Sequence, residues 1–554
     1  MKNPRKRIGL VLFLAVSVFW LWRIHLGLFH DEIQDINFGK LLVEGDSFVQ
    51  FTGIGLSHYA LFPLMFLYHR LVGSYDGVFL FLRIWFSIGQ ILVSAYMYTT
   101  CRLFWNEKQA TAAALLTCFF IFNYIAITYK AALFWGTILV ILFLLRRVHT
   151  GKTGYVVLAA ITLSLTVLSF PSSAILLIPA TTFLVRHDQS PRQSVIILWA
   201  GCGICAALFC LDIFTRYSFS DVEKAYFQST YFQNRGALPA LRKMVIVAVL
   251  YGASEVGLWL WKTGRLPVLG KKDVWTILNA GFWILLAGLI LAKPRSAQDS
   301  RFWYAYLMLA LTLLAMKRQG FLRASNQGPI DLFFDMALSS YIAISLSSNQ
   351  GIAIVAHGAI YALIGGSIAL LEDRSDGQKS PMRLAGSILL SMVVCAAVFI
   401  NDENEMIASS NVFQERTRIC EGPGKGIYVT AYTHDIYDSI YLTAKKYARK
   451  DDRMLIVADY YRAIGTIGAD VVEAIPCSFF MEQFLATDLA ESYCDRFPDR
   501  SPTLILVDTS YTGDFEKWIE SVFFKRYLET HFDLENPVRD GQWVILSQLP
   551  EKTQ

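Results

Sequence analysis

The stretch FHDEIQDINFGKLLVEGD, residues 29–46, follows directly on an apolar run that begins at Ile8. It gathers Asp31, Glu32, Asp35, Glu44 and Asp46, and Lys40 is its only lysine or arginine. The preceding run, 8–29, is long enough to cross a bilayer as a helix, the conformation that satisfies its own backbone in lipid. The basic start MKNPRKR resembles the head of a signal peptide, but no small-residue cleavage site follows, so the run reads as an uncleaved signal-anchor. The chain therefore places adjacent carboxylates at the mouth of its first membrane segment.

The rest of the composition agrees with a membrane chain. Apolar residues make up 54% without counting glycine, and the mean hydropathy is +0.41. Ordinary soluble domains reach roughly 45–50% with glycine included. Apolar runs of spanning character lie near 8–29, 78–100, 108–128, 130–145, 154–170, 172–185, 194–214, 243–262, 274–292, 302–316, 331–348, 352–371 and 383–400. They predict a polytopic α-helical protein of about thirteen spans. The segment 56–72, with His58, Pro63, His69 and Arg70, reads instead as a helix in the outer interface.

Charge orients this arrangement. With the N-terminus in the cytoplasm, RRVHTGKTG (146–154), RHDQSPRQ (186–193), WKTGRLPVLGKKD (261–273) and MKRQGFLRAS (316–325) all fall inside, as the positive-inside rule requires. The acidic loop 30–57, the aromatic and polar loop 215–242 and the tail 401–554 then share the external side. The loop AKPRSAQDSR (292–301) resists: it falls outside yet carries Lys293, Arg295 and Arg301. Either a span is misplaced or these cations meet an anionic lipid headgroup.

Two domains are expected. Residues 1–400 form the multi-span domain, and 401–554 form an extracytoplasmic soluble α/β domain. In the tail, strand-like runs at 426–430, 453–459, 503–508 and 542–547 alternate with helical patterns at 434–449, 479–492 and 513–529. GPGKG at 422–426 lacks the Lys-Ser/Thr ending of a phosphate loop and reads as a turn. The net charge of +5 is small, and no basic patch interleaved with aromatics suggests nucleic acid. The nine cysteines lie mostly in apolar runs; Cys202 and Cys205 lack a second ligand pair for zinc, and whether Cys477 and Cys494 pair is left open.

Three further charges stand out. Arg83 lies a few residues inside the second run, in GVFLFLRIWFS, where an arginine costs about 2.5–3.5 kcal/mol unless it snorkels or meets a partner. Glu255, in YGASEVGLW, lies deeper and is a structural hydrogen-bond partner or a site group. His58 is an interfacial side chain or a further site candidate. The Asp31–Glu32 pair has two readings, solvated helix-end acids or reactive carboxylates.

The order of a basic start, a first span, Asp-Glu, a glycine-bounded loop with GKLLVEGD, the apolar LFPLMFLYHRLVG and a span with an early arginine resembles the GT-C superfamily of polytopic glycosyltransferases. Protein O-mannosyltransferases and lipid A aminoarabinose transferases are similar in pattern. The resemblance covers the first 190 residues best, including VLSFPSSAILLIPATTFLV (167–185), while later spans and tail match in layout alone. It implies a polyprenyl-phosphate sugar donor, a lipid, glycan or protein acceptor, and an inverting transfer to a hydroxyl on the external face. By family position Asp31 would be the catalytic base and Glu32 its support. Lys40 and Arg83, with Arg295 and Arg301 behind them, would hold the donor phosphate. No cofactor is implied; oligosaccharyltransferases of the superfamily use a divalent metal, but their Asp-x-Asp pattern is absent from 29–46. The expected location is a bacterial plasma membrane, although an endoplasmic reticulum suits the same charge pattern. The alternatives are a polytopic lipid or polysaccharide transporter or flippase, coupled through Glu255 and Arg83, and a non-catalytic assembly protein.

Overall fold

The structure is a computed structural model that describes residues 16–28, 30–44, 57–120, 127–216, 219, 237–265, 274–291, 301–322, 325–347, 357–372, 380–398, 415–458, 461–474, 489–496, 498–522 and 524–549. Its helical region opens with α1 (16–23), α2 (His30–Val43), α3 (Ser57–Val72) and α4 (Val78–Cys101). Then come α5 (Glu107–Phe119), α6 (Tyr129–Thr150), α7 (Gly154–Ser169), α8 (Leu177–His187) and α9 (Pro191–Arg216). It closes with α10 (Ala237–Lys262), α11 (Val274–Leu291), α12 (Arg301–Arg318), α13 (Gln327–Ser347), α14 (Ala359–Leu370) and α15 (Ser380–Val398). Among the described residues, five helices (Val78–Cys101, Tyr129–Thr150, Pro191–Thr215, Leu238–Lys262 and Gln327–Leu346) are long and apolar enough to cross a membrane. The chain is an integral membrane protein; shorter apolar helices among the described residues include Leu61–Val72, Gly154–Ser169, Thr276–Gly288, Ala359–Leu370 and Pro381–Val393.

Local chemistry marks the helix ends. Asn106 and Gln109 form a reciprocal capping box at α5, and the Thr128 side chain caps α6. A Cβ on Gly136 would overlap Thr166 Oγ1, so this glycine is what lets α6 and α7 approach. Buried positions on α4 recur as a helical stripe that includes Val78, Phe79, Leu82, Phe86, Val93 and Met97. The same stripe carries Arg83, Ser87, Gln90 and Ser94, a polar line down the inner face. Gln90 donates to Thr117 O (2.5 Å) and accepts from Trp135 Nε1 (2.6 Å).

The C-terminal region begins with a ribbon of β1 (Thr417–Arg418) and β2 (Tyr428–Val429), followed by α16 (Ala431–Tyr447). Beyond it, β3 (Arg453–Val457), α17 (Ala463–Gly468), β4 (Val472–Glu473), α18 (Leu489–Arg496) and β5 (Leu504–Asp508) follow in order. After α19 (Thr509–Thr512), α20 (Phe515–Ser521) and α21 (Lys525–His531), β6 (Val538–Asp540) and β7 (Trp543–Ser547) close the chain. The sheet order is β4-β3-β5-β7-β6, with β3 parallel to β4 and β5, and β7 antiparallel to β5 and β6. Three of the expected strand runs, 453–459, 503–508 and 542–547, hold β3, β5 and β7, while the short β4 is not among the expected runs. The run 426–430 does not join this sheet: its central pair forms the separate ribbon. The helical pattern at 513–529 is broken into α20 and α21, and most of 479–492 lies outside the described residues. Cys477 also lies outside them; Cys494 is buried, and burial pushes its thiol up to about 12.

The ribbon ties the two ends of the chain together. Tyr428 donates its N–H to His25 O (2.7 Å) and accepts from Gly27 N (2.9 Å). Residues 422–425 turn, as read, and the carbonyls of Gly422 and Pro423 accept from Gly77 N (3.0 Å) and Phe79 N (3.3 Å) at the start of α4. There the α4 amides have no partner within their own helix. Gly422 takes φ +73°, and an added Cβ would strike Tyr437 Oη. Below this clasp one apolar core joins Leu28, Ile33, Ile36, Leu61, Met65, Val78, Phe79 and Leu82 to Ile419, Ile427, Tyr437, Ile440, Met454 and Ile464. The acidic helix α2 and the tail therefore sit at the same end of the helical region and share a core.

Candidate functional site

The middle of helix α2 is buried: every residue from Glu32 to Leu41 is shielded from solvent, polar ones included. Buried polar groups need partners, and much of what α2 requires comes from distant segments of the chain. Asn37 donates to Glu473 Oε2 (2.5 Å) and accepts from Thr466 Oγ1 (3.1 Å). Lys40, 1% exposed, donates to Val471 O (2.6 Å), pairs with Glu44 and lies over the Tyr75 ring at 5.6 Å. The tail thus covers α2, and Lys40 is turned into that contact.

Glu32 and Arg83, singled out separately in the sequence, meet. Arg83 Nε donates to Glu32 Oε1 (2.7 Å) and Nη2 to Oε2 (2.5 Å), a bidentate pair with both side chains at 0% exposure. The remaining N–H groups reach the carbonyls of Ile24 (3.0 Å), Leu26 (3.2 Å) and Gly27 (2.7 Å). Those carbonyls lie just past the end of α1, where a helix leaves acceptors without partners and a cation is favoured. Arg83 accordingly binds the end of α1, the start of α2 and its own helix α4 into one unit. Burial raises the Glu32 carboxyl above its ordinary range; the Arg83 charge and hydrogen bonds oppose that shift without reversing it.

Asp31 is the second residue of α2, directly before Glu32; its side chain lies outside the described residues, as does that of His58 in the first turn of α3. Arg295 falls in the stretch 292–300, outside the described residues, and Arg301 opens α12 with its side chain likewise outside them. Glu255 is elsewhere, on α10. It accepts from Tyr251 Oη (2.6 Å) and Gln319 Nε2 (2.6 Å), with Arg318 Nε at 3.8 Å. Beside it a cavity of about 500 Å³ opens between α10, α12 and α13, lined by Met244, Val247, Tyr251, Leu311, Leu314 and Tyr341 among others. The structure thus brings Glu32 and Arg83 together, with the Asp31 backbone adjoining. It seats Lys40 two turns along the same helix and keeps Glu255 apart. Among the described residues no group of three or more His, Cys, Asp and Glu side chains is gathered to hold a metal ion.

Sequence reasoning passed over Arg23. It sits near the end of the first apolar run, is 1% exposed, and feels the charges of Arg83 and Arg416. The signal was available: a cation inside an apolar run, the same signal that exposed Arg83. Asn37 carried no comparable signal, because its partners lie more than 400 positions away.

No protein-family model matches the sequence, and no curated protein matches it. Solved structures similar to the chain include the oligosaccharyltransferase of Archaeoglobus fulgidus in complex with Zn and sulfate, at 14% identity and TM-score 0.46, covering 92% of this chain and 68% of that one. Archaeal oligosaccharyltransferase AglB from the same organism, in complex with an inhibitory peptide and a dolichol-phosphate, is similar at 12% identity and TM-score 0.46, covering 95% and 72%. ArnT from Cupriavidus metallidurans bound to undecaprenyl phosphate is similar at 10% identity and TM-score 0.46, covering 98% of both chains. At these values the functional reading rests on the site itself.

Proposed function

We propose that the chain is a membrane glycosyltransferase that moves a sugar from a polyprenyl-phosphate donor to an acceptor hydroxyl at the external surface, with inversion. The observation that carries this reading is the buried Glu32–Arg83 pair, which fixes the first turn of α2 and with it the backbone of Asp31. Glu32 is committed to an arginine, and this reading takes the other acid of the pair, Asp31, as the base. In this reading the acceptor oxygen attacks the anomeric carbon and passes its proton to Asp31. The bond from that carbon to the phosphate oxygen breaks, and its electron pair leaves on the lipid phosphate. Cationic side chains rather than a metal ion receive that charge, and a water-poor setting strengthens them. The helical region, residues 1–400, carries the chemistry, and 401–554 is an accessory external domain that braces α2.

Incubating purified protein with polyprenyl-phosphate sugars and following release of free polyprenyl phosphate tests this. Release should require an acceptor and disappear in Asp31→Asn. Absence of release across pentose, hexose and aminosugar donors, from protein that is folded, would sink the reading.

A further inference from the structure

Both terminal guanidinium nitrogens of Arg23 are buried and have no hydrogen-bond partner among the described residues. Among the described residues the charges that act on Arg23 are those of two cations, Arg83 and Arg416. Glu32, the carboxylate bonded to Arg83, is engaged by it through both oxygens. A guanidinium whose terminal nitrogens are out of water, meet no acceptor among the described residues and lie beside like charges is unfavourable unless an anion completes it. Arg83 next to it shows what completion looks like: a bidentate carboxylate and three carbonyls.

We propose that Arg23 and Arg416, with Arg83 behind them, form a binding site for a phosphoryl group. Such a group presents several acceptor oxygens to the planar arginine fork. The place suits the phosphate of a lipid. Arg23 ends α1, whose other side exposes Val18 and Leu21, at 65% and 62%, as a surface for hydrocarbon. Arg416 directly precedes β1, whose partner β2 pairs with residues 25–27, so the tail delivers its cation to the end of the first helix. The donor contact then includes a residue of the C-terminal region. The lipid-phosphate class rests on the transferase reading; the anion site itself does not.

The test uses the full chain in detergent, with farnesyl phosphate as probe, farnesol as the phosphate-free control and inorganic phosphate as the chain-free control. Thermal unfolding and titration calorimetry are the readouts. Farnesyl phosphate should raise the unfolding midpoint of the wild type, and farnesol should not. Arg23→Met should unfold no earlier than wild type without probe, because an uncompensated buried charge is gone. It should lose the phosphate-dependent rise and bind at least tenfold more weakly. Arg416→Gln should weaken binding in the same direction by a smaller factor. An equal rise with inorganic phosphate would assign the site to free phosphate, and a rise with farnesyl phosphate alone would assign it to a lipid.

The proposal is overturned if neither phosphate shifts the wild type. It is also overturned if Arg23→Met lowers the midpoint yet keeps the full phosphate response, which would make Arg23 a packing residue. If Arg23→Met does not fold, Arg416→Gln decides, and wild-type affinity in it refutes the site. Phosphate binding without sugar transfer would break the transferase reading alone. Transfer with an unaffected Arg23→Met would break this one alone.

Discussion

Glu32 and Glu255 are both carboxylates set among apolar helices, and the protein holds them in opposite ways. Glu32 has no exposure and faces an arginine whose N–H groups are all used. Glu255 keeps 15% exposure, takes its hydrogen bonds from a neutral tyrosine and a neutral amide, and has Arg318, 72% exposed, at 3.8 Å. The first arrangement is closed: removing either partner strands a buried charge. The second is open: its Tyr251 and Arg318 line a cavity, and its close hydrogen bonds come from neutral groups. An acid in an apolar setting is thus not one kind of signal, and its partner's commitment separates a structural knot from an adaptable group.

The largest effect should come from opening the knot. Arg83→Met leaves Glu32 unpaired and should cost about 3–5 kcal/mol of stability, seen as early thermal unfolding or loss of monodisperse protein. Arg83→Met with Glu32→Gln should recover much of that, and failure to recover would mean that the carbonyls past α1, not Glu32, are what Arg83 holds.

Next to the knot, Asp31 should behave differently. Asp31→Asn should fold like wild type while turnover falls by roughly 10²–10⁴-fold, the range of general-base catalysis. Glu32→Gln should lose less turnover and more stability. Wild-type transfer by folded Asp31→Asn would remove Asp31 from the chemistry.

At the open carboxylate the effect should be smaller. Glu255→Gln keeps an acceptor for Tyr251 and should cost about 1 kcal/mol, with transfer unchanged. If it abolishes transfer instead, the contrast between the two acids is the wrong way round, and the transporter alternative regains its main residue. The smallest change is expected at the exposed His69–Asp470 contact, 3.3 Å long, between α3 and the tail. His69→Ala should alter stability by under about 1 kcal/mol, as exposed ion pairs do, and a larger loss would show that the tail is held by surface charge rather than by the shared core.

The helical region was legible because apolar runs announce themselves: α4, α6, α9, α10 and α13 lie where the hydropathy places them. Individual acids and cations of the site were legible for the complementary reason, as charges that interrupt such runs. Their pairing was not, since Glu32 and Arg83 are 51 positions apart and neither names the other. Nor was the burial of α2. The acidic stretch 30–57 reads as an external loop on composition, and the tail, arriving from residues 463–474, turns its Asn37 and Lys40 inward. The strand-like run 426–430 misled for a related reason: alternation marks a strand without saying which neighbour it pairs with, and here that neighbour is partly residues 25–27.

That last pairing bears on biogenesis. Residues 25–27 emerge from the ribosome early and enter the membrane with the first helix, but Tyr428, Gly422 and Pro423 follow some 400 residues later. Contacts of such sequence separation form slowly and late. Until residues 422–428 are made, the start of α4 and the acidic helix lack their cover and stay available to chaperones and proteases. A ribosome stalled between α15 and β1 would therefore leave an inserted but unlatched intermediate, and quality control could read the arrival of the C-terminal region from this one clasp.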